Sequence, residues 1–145
     1  MSENDQALVA IDNEGNIMAV PWKATGKDPL TIKEESLYDA VTSKNGEFFA
    51  VVNSDKSNCA LYRSSNLECL GNYEGLKYRR MRFSPDNKYF VILSRNDDSE
   101  KNYDVQVINL SDGTAKGEAR FKVENIPEPR HVEISADAHK ELYIC

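Results

Sequence analysis

A ten-residue pattern occurs three times in this chain, and the recurrence constrains the fold more than any other feature. Ser43-Lys44-Asn45-Gly46-Glu47-Phe48-Phe49-Ala50-Val51-Val52 returns as Ser84-Pro85-Asp86-Asn87-Lys88-Tyr89-Phe90-Val91-Ile92-Leu93. A weaker copy follows as Ser135-Ala136-Asp137-Ala138-His139-Lys140-Glu141-Leu142-Tyr143-Ile144. Each copy is a serine, a polar turn, and a short aromatic and β-branched run. Pro fixes φ and Asp or Asn tolerates the left-handed region, so Ser-Pro-Asp-Asn between apolar runs reads as a tight turn. The three serines stand 41 and 51 residues apart. A repeat of about 40–45 residues with several strands per unit is the sequence mark of a β-propeller blade.

No segment sustains a 3.6-residue apolar period over three turns, whereas short apolar runs bounded by Gly, Asn, Asp and Ser occur throughout, so the chain reads as all-β. Residues 1–20 hold a hairpin of a first blade, with strands at Ala7–Ile11 and Ile17–Val20 joined by Asp12-Asn13-Glu14-Gly15-Asn16. Residues 21–36, with Pro21, Gly26 and Pro29, read as a polar connection; Trp22 within it is expected to plug a hydrophobic gap, or else to anchor a partner. A full blade spans 37–73, with strands at Leu37–Thr42, Phe48–Asn53, Cys59–Arg63 and Glu68–Tyr73. A second spans 78–123, with strands at Tyr78–Phe83, Tyr89–Ser94, Asp104–Leu110 and Ala119–Val123. Residues 130–145 give half a blade, Arg130–Ile134 and Leu142–Cys145. The twelve strands amount to about three blades. A closed ring needs at least four blades, so the expectation is a partial ring, completed by further chain or by self-association.

Alignment on the serine places Thr42, Phe83 and Ile134 together, then Ala40, Met81 and Val132, then Tyr38, Arg79 and Arg130. Period-2 alternation puts all nine on one face of the first strand, the expected blade-packing face. Arg79 and Arg130 then fall at the rim.

Charge narrows the function classes. The 145 residues carry a net charge of −6, which argues against a surface that grips nucleic acid everywhere. The distribution is uneven. Residues 1–20 hold Glu3, Asp5, Asp12 and Glu14 without a Lys or Arg, while Lys77, Tyr78, Arg79, Arg80 and Arg82 cluster without an acid. Four cations and an aromatic within six residues suit contacts to phosphates with base stacking, or a charged blade rim paired with acidic neighbours. Arg130 extends this binding set. The run Arg95-Asn96-Asp97-Asp98-Ser99-Glu100-Lys101-Asn102 accounts for the longer second spacing. Loops that outgrow a repeat often touch partners, which makes Arg95, Asp97, Asp98 and Lys101 contact candidates; a solvated insertion fits equally.

Other chemistry is poorly represented. Cys59, Cys69 and Cys145 form an odd set without C-x-x-C, which speaks against both a disulfide framework and zinc and points to a reducing, cytoplasmic setting. No membrane helix or signal peptide is expected. His131 and His139 lack further ligands at metal spacing. Asp97-Asp98-Ser99-Glu100 and Asp12-Asn13-Glu14-Gly15 lack the alternating oxygen ligands of a calcium loop. No Gly-rich phosphate motif and no nucleophile elbow is present. The expectation is a chain without cofactor, metal or catalytic residues.

The stretches Ser43 to Ala50 and Met81-Arg82-Phe83-Ser84-Pro85-Asp86-Asn87-Lys88-Tyr89 resemble the WD40-like propellers of eukaryotic translation initiation, the family found in initiation factor 2A and in the b subunit of initiation factor 3. The polar insertion Arg95 to Asn102, the strand Val105-Gln106-Val107-Ile108-Asn109-Leu110 and the turn Ser111-Asp112-Gly113 are similar to that family's arrangement. The likeness covers residues 37–145. Tyr62-Arg63 and Ile108-Asn109 stand where Trp-Asp would fall, and there is no Gly-His pair. The resemblance implies a non-catalytic docking platform on the small ribosomal subunit, contacting rRNA or another initiation factor. Two other classes remain open on the residues: a protein-interaction scaffold in another pathway, and the propeller of a lactonase or peptidase. The last needs convergent carboxylates or His around a channel, or a hydrolase domain, and the sequence displays neither.

Overall fold

The computed structural model describes residues 7–12, 14–21, 30–33, 36–96, 102–124, 132–134 and 142–144. Among them lie thirteen strands in four antiparallel sheets, and no helix. The chain forms two compact units, Met1–Glu74 and Gly75–Cys145.

In the first unit β1 (Ala7–Ile11), β2 (Asn16–Pro21) and β3 (Leu30–Lys33) make a three-stranded sheet. The turn after β1 closes on Asp12, whose Oδ1 accepts the N–H groups of Glu14 at 3.0 Å and Asn16 at 2.9 Å. Gly15 supplies the positive φ of 96° there, which a Cβ would resist. β4 (Leu37–Thr42), β5 (Phe48–Asn53), β6 (Cys59–Arg63) and β7 (Cys69–Tyr73) form a four-stranded meander in chain order. Ile17 of β2 packs into one cluster with Phe49, Val51, Ala60, Tyr62 and Leu67, flanked by Val9, Ile11, Ile32 and Leu37. The two sheets therefore bury their apolar faces on each other.

The second unit repeats the meander with β8 (Tyr78–Phe83), β9 (Tyr89–Arg95), β10 (Tyr103–Asn109) and β11 (Lys116–Val123). The pair β12 (Val132–Ile134) and β13 (Leu142–Ile144) follows, with β12 lying over β8 and β9. Val132 enters a cluster with Val91, Leu93, Tyr103, Val105 and Val107. Side chains such as Leu93 and Val105, fully buried, each contribute about 1.5–3 kcal/mol by leaving water. β5 and β9 are buried on both faces, as their continuous apolar runs imply.

The sequence repeat is a structural repeat down to individual hydrogen bonds. Ser43 N–H donates to the Phe48 carbonyl at 2.8 Å, and Phe48 N–H donates back to Ser43 Oγ at 3.0 Å. Ser84 and Tyr89 make the same two bonds at 2.8 and 3.0 Å. The serine hydroxyl donates to Asn45 Oδ1 in one copy and Asp86 Oδ1 in the other. Gly46 and Asn87 take the left-handed place, at φ 76° and 63°. Asn is among the few side chains that accept that region readily. The turn of the third copy lies outside the described residues.

Three expectations need correction. First, the stretch read as a polar connection contains β3, and Pro21 is the last residue of β2. Leu30-Thr31-Ile32-Lys33 alternates over only four residues, too short to stand out, yet it pairs with β2 from Asn16↔Lys33 to Ala19↔Leu30. Second, alternation breaks near the start of β4 and β8. The pairing skips one residue between Leu37 and Asp39 and one between Tyr78 and Arg80, leaving Tyr38 and Arg79 as bulge residues at equivalent repeat positions. A bulge sets two residues opposite one and shifts the facing of everything before it. Tyr78 therefore takes the core-facing place assigned to Arg79. Third, the face of Ala40 and Thr42 is exposed in β4, although Met81 and Phe83 are buried in β8. Trp22, His131, His139, Arg130 and Cys145 lie outside the described residues.

Candidate functional site

The basic strand β8 is fixed at its entry by a backbone bond: Arg95 N–H donates to the Lys77 carbonyl at 2.8 Å. This bond joins the two regions singled out in the sequence, because Arg95 ends β9 and opens the insertion. Lys77 and Arg95 are both exposed, so two cations adjoin at this corner of the sheet. The insertion's base is clamped by Asn96, which is buried. Its N–H donates to the Asn102 carbonyl at 2.8 Å, and its Nδ2 donates to Asp104 Oδ1 at 3.0 Å. Asp97, Asp98 and Lys101 lie outside the described residues.

The rest of the cluster is less accessible than a solvent-facing rim. Tyr78 is only 5% exposed, so its ring belongs to the core and offers no stacking face to a base. Met81 and Phe83 share its side of the strand, with Phe83 against Phe90 at a centroid distance of 4.7 Å. Arg80 pairs with Leu93 and Arg82 with Val91, which places both on the face over which β12 lies. They and Arg79 are half-buried. Arg80 folds back, its Nη1 donating to the Arg79 carbonyl at 2.8 Å, and so ties the guanidinium to the bulge. The Nε of Arg79 is itself buried. The outward-facing cations are thus Lys77 and Arg95, backed by three half-buried arginines.

Two features were not singled out as sites by the sequence. Tyr38, the bulge residue of β4, is 51% exposed, and Lys56 Nζ sits 4.3 Å from its ring centroid. Its equivalence to Arg79 in the repeat was the available signal. An open depression of about 680 Å³ lies at the Asp12 end of β1–β3, between Ile11, Ile17, Ile32, Asp12 and Lys33. Its polar groups are spent on the turn: Lys33 Nζ donates to the Glu14 carbonyl at 3.0 Å, and hydrogen bonds from Asn16 hold the Asp12 carboxyl below its ordinary range.

Nucleophile chemistry finds little support among the described residues. Cys59 is fully buried, and burial pushes its thiol up to about 12, with the Asp39 charge adding to the effect. At neutral pH it is a thiol rather than the reactive thiolate. Tyr73, its cross-strand neighbour, is likewise pushed up to about 12, chiefly by burial. No group of three His, Cys, Asp or Glu side chains able to hold a metal occurs among the described residues.

No protein-family model and no curated protein matches the chain. Solved structures do. Hsv2 of Kluyveromyces lactis matches at 14% identity and a TM-score of 0.57, over 88% of this chain and 46% of that one. The C-terminal WD40 domain of Sif2 matches at 12% identity and 0.58, over 95% and 39%. A eukaryotic initiation factor matches at 8% identity and 0.53, over 90% and 33%. An enzyme, the hydrazine synthase of Kuenenia stuttgartiensis, matches as well, at 18% identity and 0.55, over 87% and 36%. The chain therefore spans less than half the length of these structures. At such identities the likeness establishes architecture alone: four-stranded antiparallel blades of the β-propeller fold, present as part of a ring.

Proposed function

We propose that this chain is a non-catalytic docking platform that serves translation initiation on the small ribosomal subunit, meeting rRNA or another initiation factor. The observation that carries the proposal is the corner where Lys77 and Arg95 adjoin, backed by Arg79, Arg80 and Arg82. A chain of net charge −6 that gathers cations at one corner has a local attraction for a polyanion without a general one. The likeness of the Ser43 and Ser84 blades to initiation propellers, and the matched initiation factor, support the choice of partner.

Co-sedimentation with small ribosomal subunits across a salt series tests the reading. Each phosphate contact adds about one unit to the slope of log affinity against log salt, so Lys77→Glu and Arg95→Glu should each flatten it by about one unit. Both positions are exposed, so their melting temperatures should stay near that of the parent. No association at any salt refutes the ribosomal reading. A second reading, a scaffold for protein partners in another pathway, is favoured by the equally good fit of Hsv2 and Sif2. Cross-linked protein partners with no ribosomal component would establish it.

A further inference from the structure

The two serine turns differ at the positions that govern amide chemistry. Asn45-Gly46 of the first turn stands where the second has Asp86-Asn87, and it is the only Asn-Gly pair in the sequence. Asparagine before glycine is prone to cyclise, because no Cβ hinders the glycine nitrogen as it approaches the side-chain carbonyl carbon. Gly46 N then bonds to Asn45 Cγ, the Cγ–Nδ2 bond breaks, and ammonia leaves. Water opens the resulting imide at either carbonyl, giving an aspartate or an isoaspartate. Asn45 is exposed, so solvent water and base reach it. Asp112-Gly113 has the same potential but is spared. Its carboxylate is held ionised, well below the ordinary range, chiefly by Lys116 at 2.6 Å, and an ionised carboxylate is a poor electrophile.

The closed turn restrains both reacting groups. Asn45 Oδ1 accepts the Ser43 hydroxyl at 2.9 Å and the Glu47 N–H at 3.0 Å, while Nδ2 donates to Glu47 Oε2 at 3.3 Å. The Gly46 N–H, whose proton must leave before attack, donates to the Ser43 carbonyl at 2.9 Å. Ser43 thus holds the electrophile with its hydroxyl and the nucleophile with its carbonyl, and its own Oγ is pinned by the buried Phe48 N–H. The second copy shows what each product would meet. Asp86 Oδ1 accepts the Ser84 hydroxyl and the Lys88 N–H, as Asn45 Oδ1 accepts their counterparts, so an aspartate at position 45 keeps the turn. Glu47, however, stands where the second copy has Lys88, so that aspartate faces a like charge in place of the Nδ2 bond. Isoaspartate adds a methylene to the main chain inside the loop that the Ser43 and Phe48 bonds close.

We propose that Asn45 is a site of spontaneous deamidation whose rate is set by opening of the Ser43 turn. The reaction needs no enzyme and consumes only water. It adds a negative charge to a chain of net −6, at the entry to β5, a strand buried on both faces. The site is separate from the Lys77 corner and does not depend on it.

The test holds the intact chain in mildly alkaline buffer and follows conversion at position 45 by peptide mass spectrometry. A synthetic peptide copying residues 41–49 gives the unrestrained rate, and the intact chain should react about tenfold or more slowly. Ser43→Ala should raise the intact chain's rate about tenfold, because the closed turn loses a hydrogen bond on which its opening depends. Ser84→Ala should leave the rate at position 45 unchanged. Gly46→Asn should nearly abolish the reaction while the melting temperature stays near the parent's. Asn87 takes the equivalent place at φ 63°, and a Cβ on Gly46 meets nothing within 4 Å. Asn45→Asp should melt below the parent, and adding Glu47→Lys should restore it. An intact chain that reacts as fast as the peptide overturns the proposal, as does a Ser43→Ala chain no faster than the parent. Equal acceleration by Ser43→Ala and Ser84→Ala also overturns it, by assigning the rate to unfolding of the whole chain.

Discussion

Four buried hydroxyls make a test of how this fold treats polar atoms. Tyr103 Oη and Ser64 Oγ have no hydrogen-bond partner, and their residues are 0% and 2% exposed. Ser43 Oγ and Ser84 Oγ, at 3% and 1%, each accept a backbone N–H and donate to a side-chain oxygen. An unpaired buried hydroxyl costs about 1–3 kcal/mol. Tyr103→Phe keeps the ring among Val105, Val107 and Val132 and removes only the orphaned oxygen. It should therefore stabilise the chain by about 1 kcal/mol, after allowance for the small void left behind. At this chain length that is a rise of about 3 °C in Tm. Ser64→Ala should be neutral or stabilising for the same reason. Ser43→Ala strands the buried Phe48 N–H and should cost about 1–3 kcal/mol, and Ser84→Ala, which strands the part-buried Tyr89 N–H, about 1 kcal/mol. Urea and thermal unfolding of the four variants, with m-values checked for constancy, measure the signs. A loss of 1 kcal/mol or more in Tyr103→Phe would refute the reasoning and show that the hydroxyl binds an enclosed water, as buried polar groups otherwise do.

Three further outcomes follow from the packing. Phe83→Ala should cost about 3–5 kcal/mol, since the ring is 6% exposed and lies against Phe90; near-neutral urea unfolding would put the register of β8 in error. Gly71→Ala should cost about 1–3 kcal/mol, because the new Cβ would lie 2.6 Å from Tyr73 Oη and 2.9 Å from its Cζ. Calorimetry should find that cost relieved when Tyr73 is also truncated. Cys59 titrates near 9.0 when unfolded, but burial pushes it up to about 12 when folded. The folded state thus keeps a proton that the unfolded chain releases, so this contribution is complete below pH 9 and is lost as pH rises toward 12. Urea titrations at rising pH should show that decline in the parent and a smaller one in Cys59→Ala.

The sequence by itself determined the local architecture. Most strand boundaries could be read to within a residue or so, because period-2 runs and turn residues act over a few positions. The Ser43 and Ser84 turns are the clearest case: every bond that closes them lies within five residues of the serine. Tertiary structure decided what each strand face meets. Tyr38 and Arg79 are bulge residues because of how two strands pair, a property no single strand encodes. That one-residue shift buried Tyr78, which had looked available to a base, and left Arg79 half-buried at the bulge. Ala40 and Met81 occupy the same repeat position, yet one is exposed and the other buried. Alternation gives the side of a strand on which a residue lies. Whether that side is covered depends on residues far away in the chain, and for β4 the described strands leave it open.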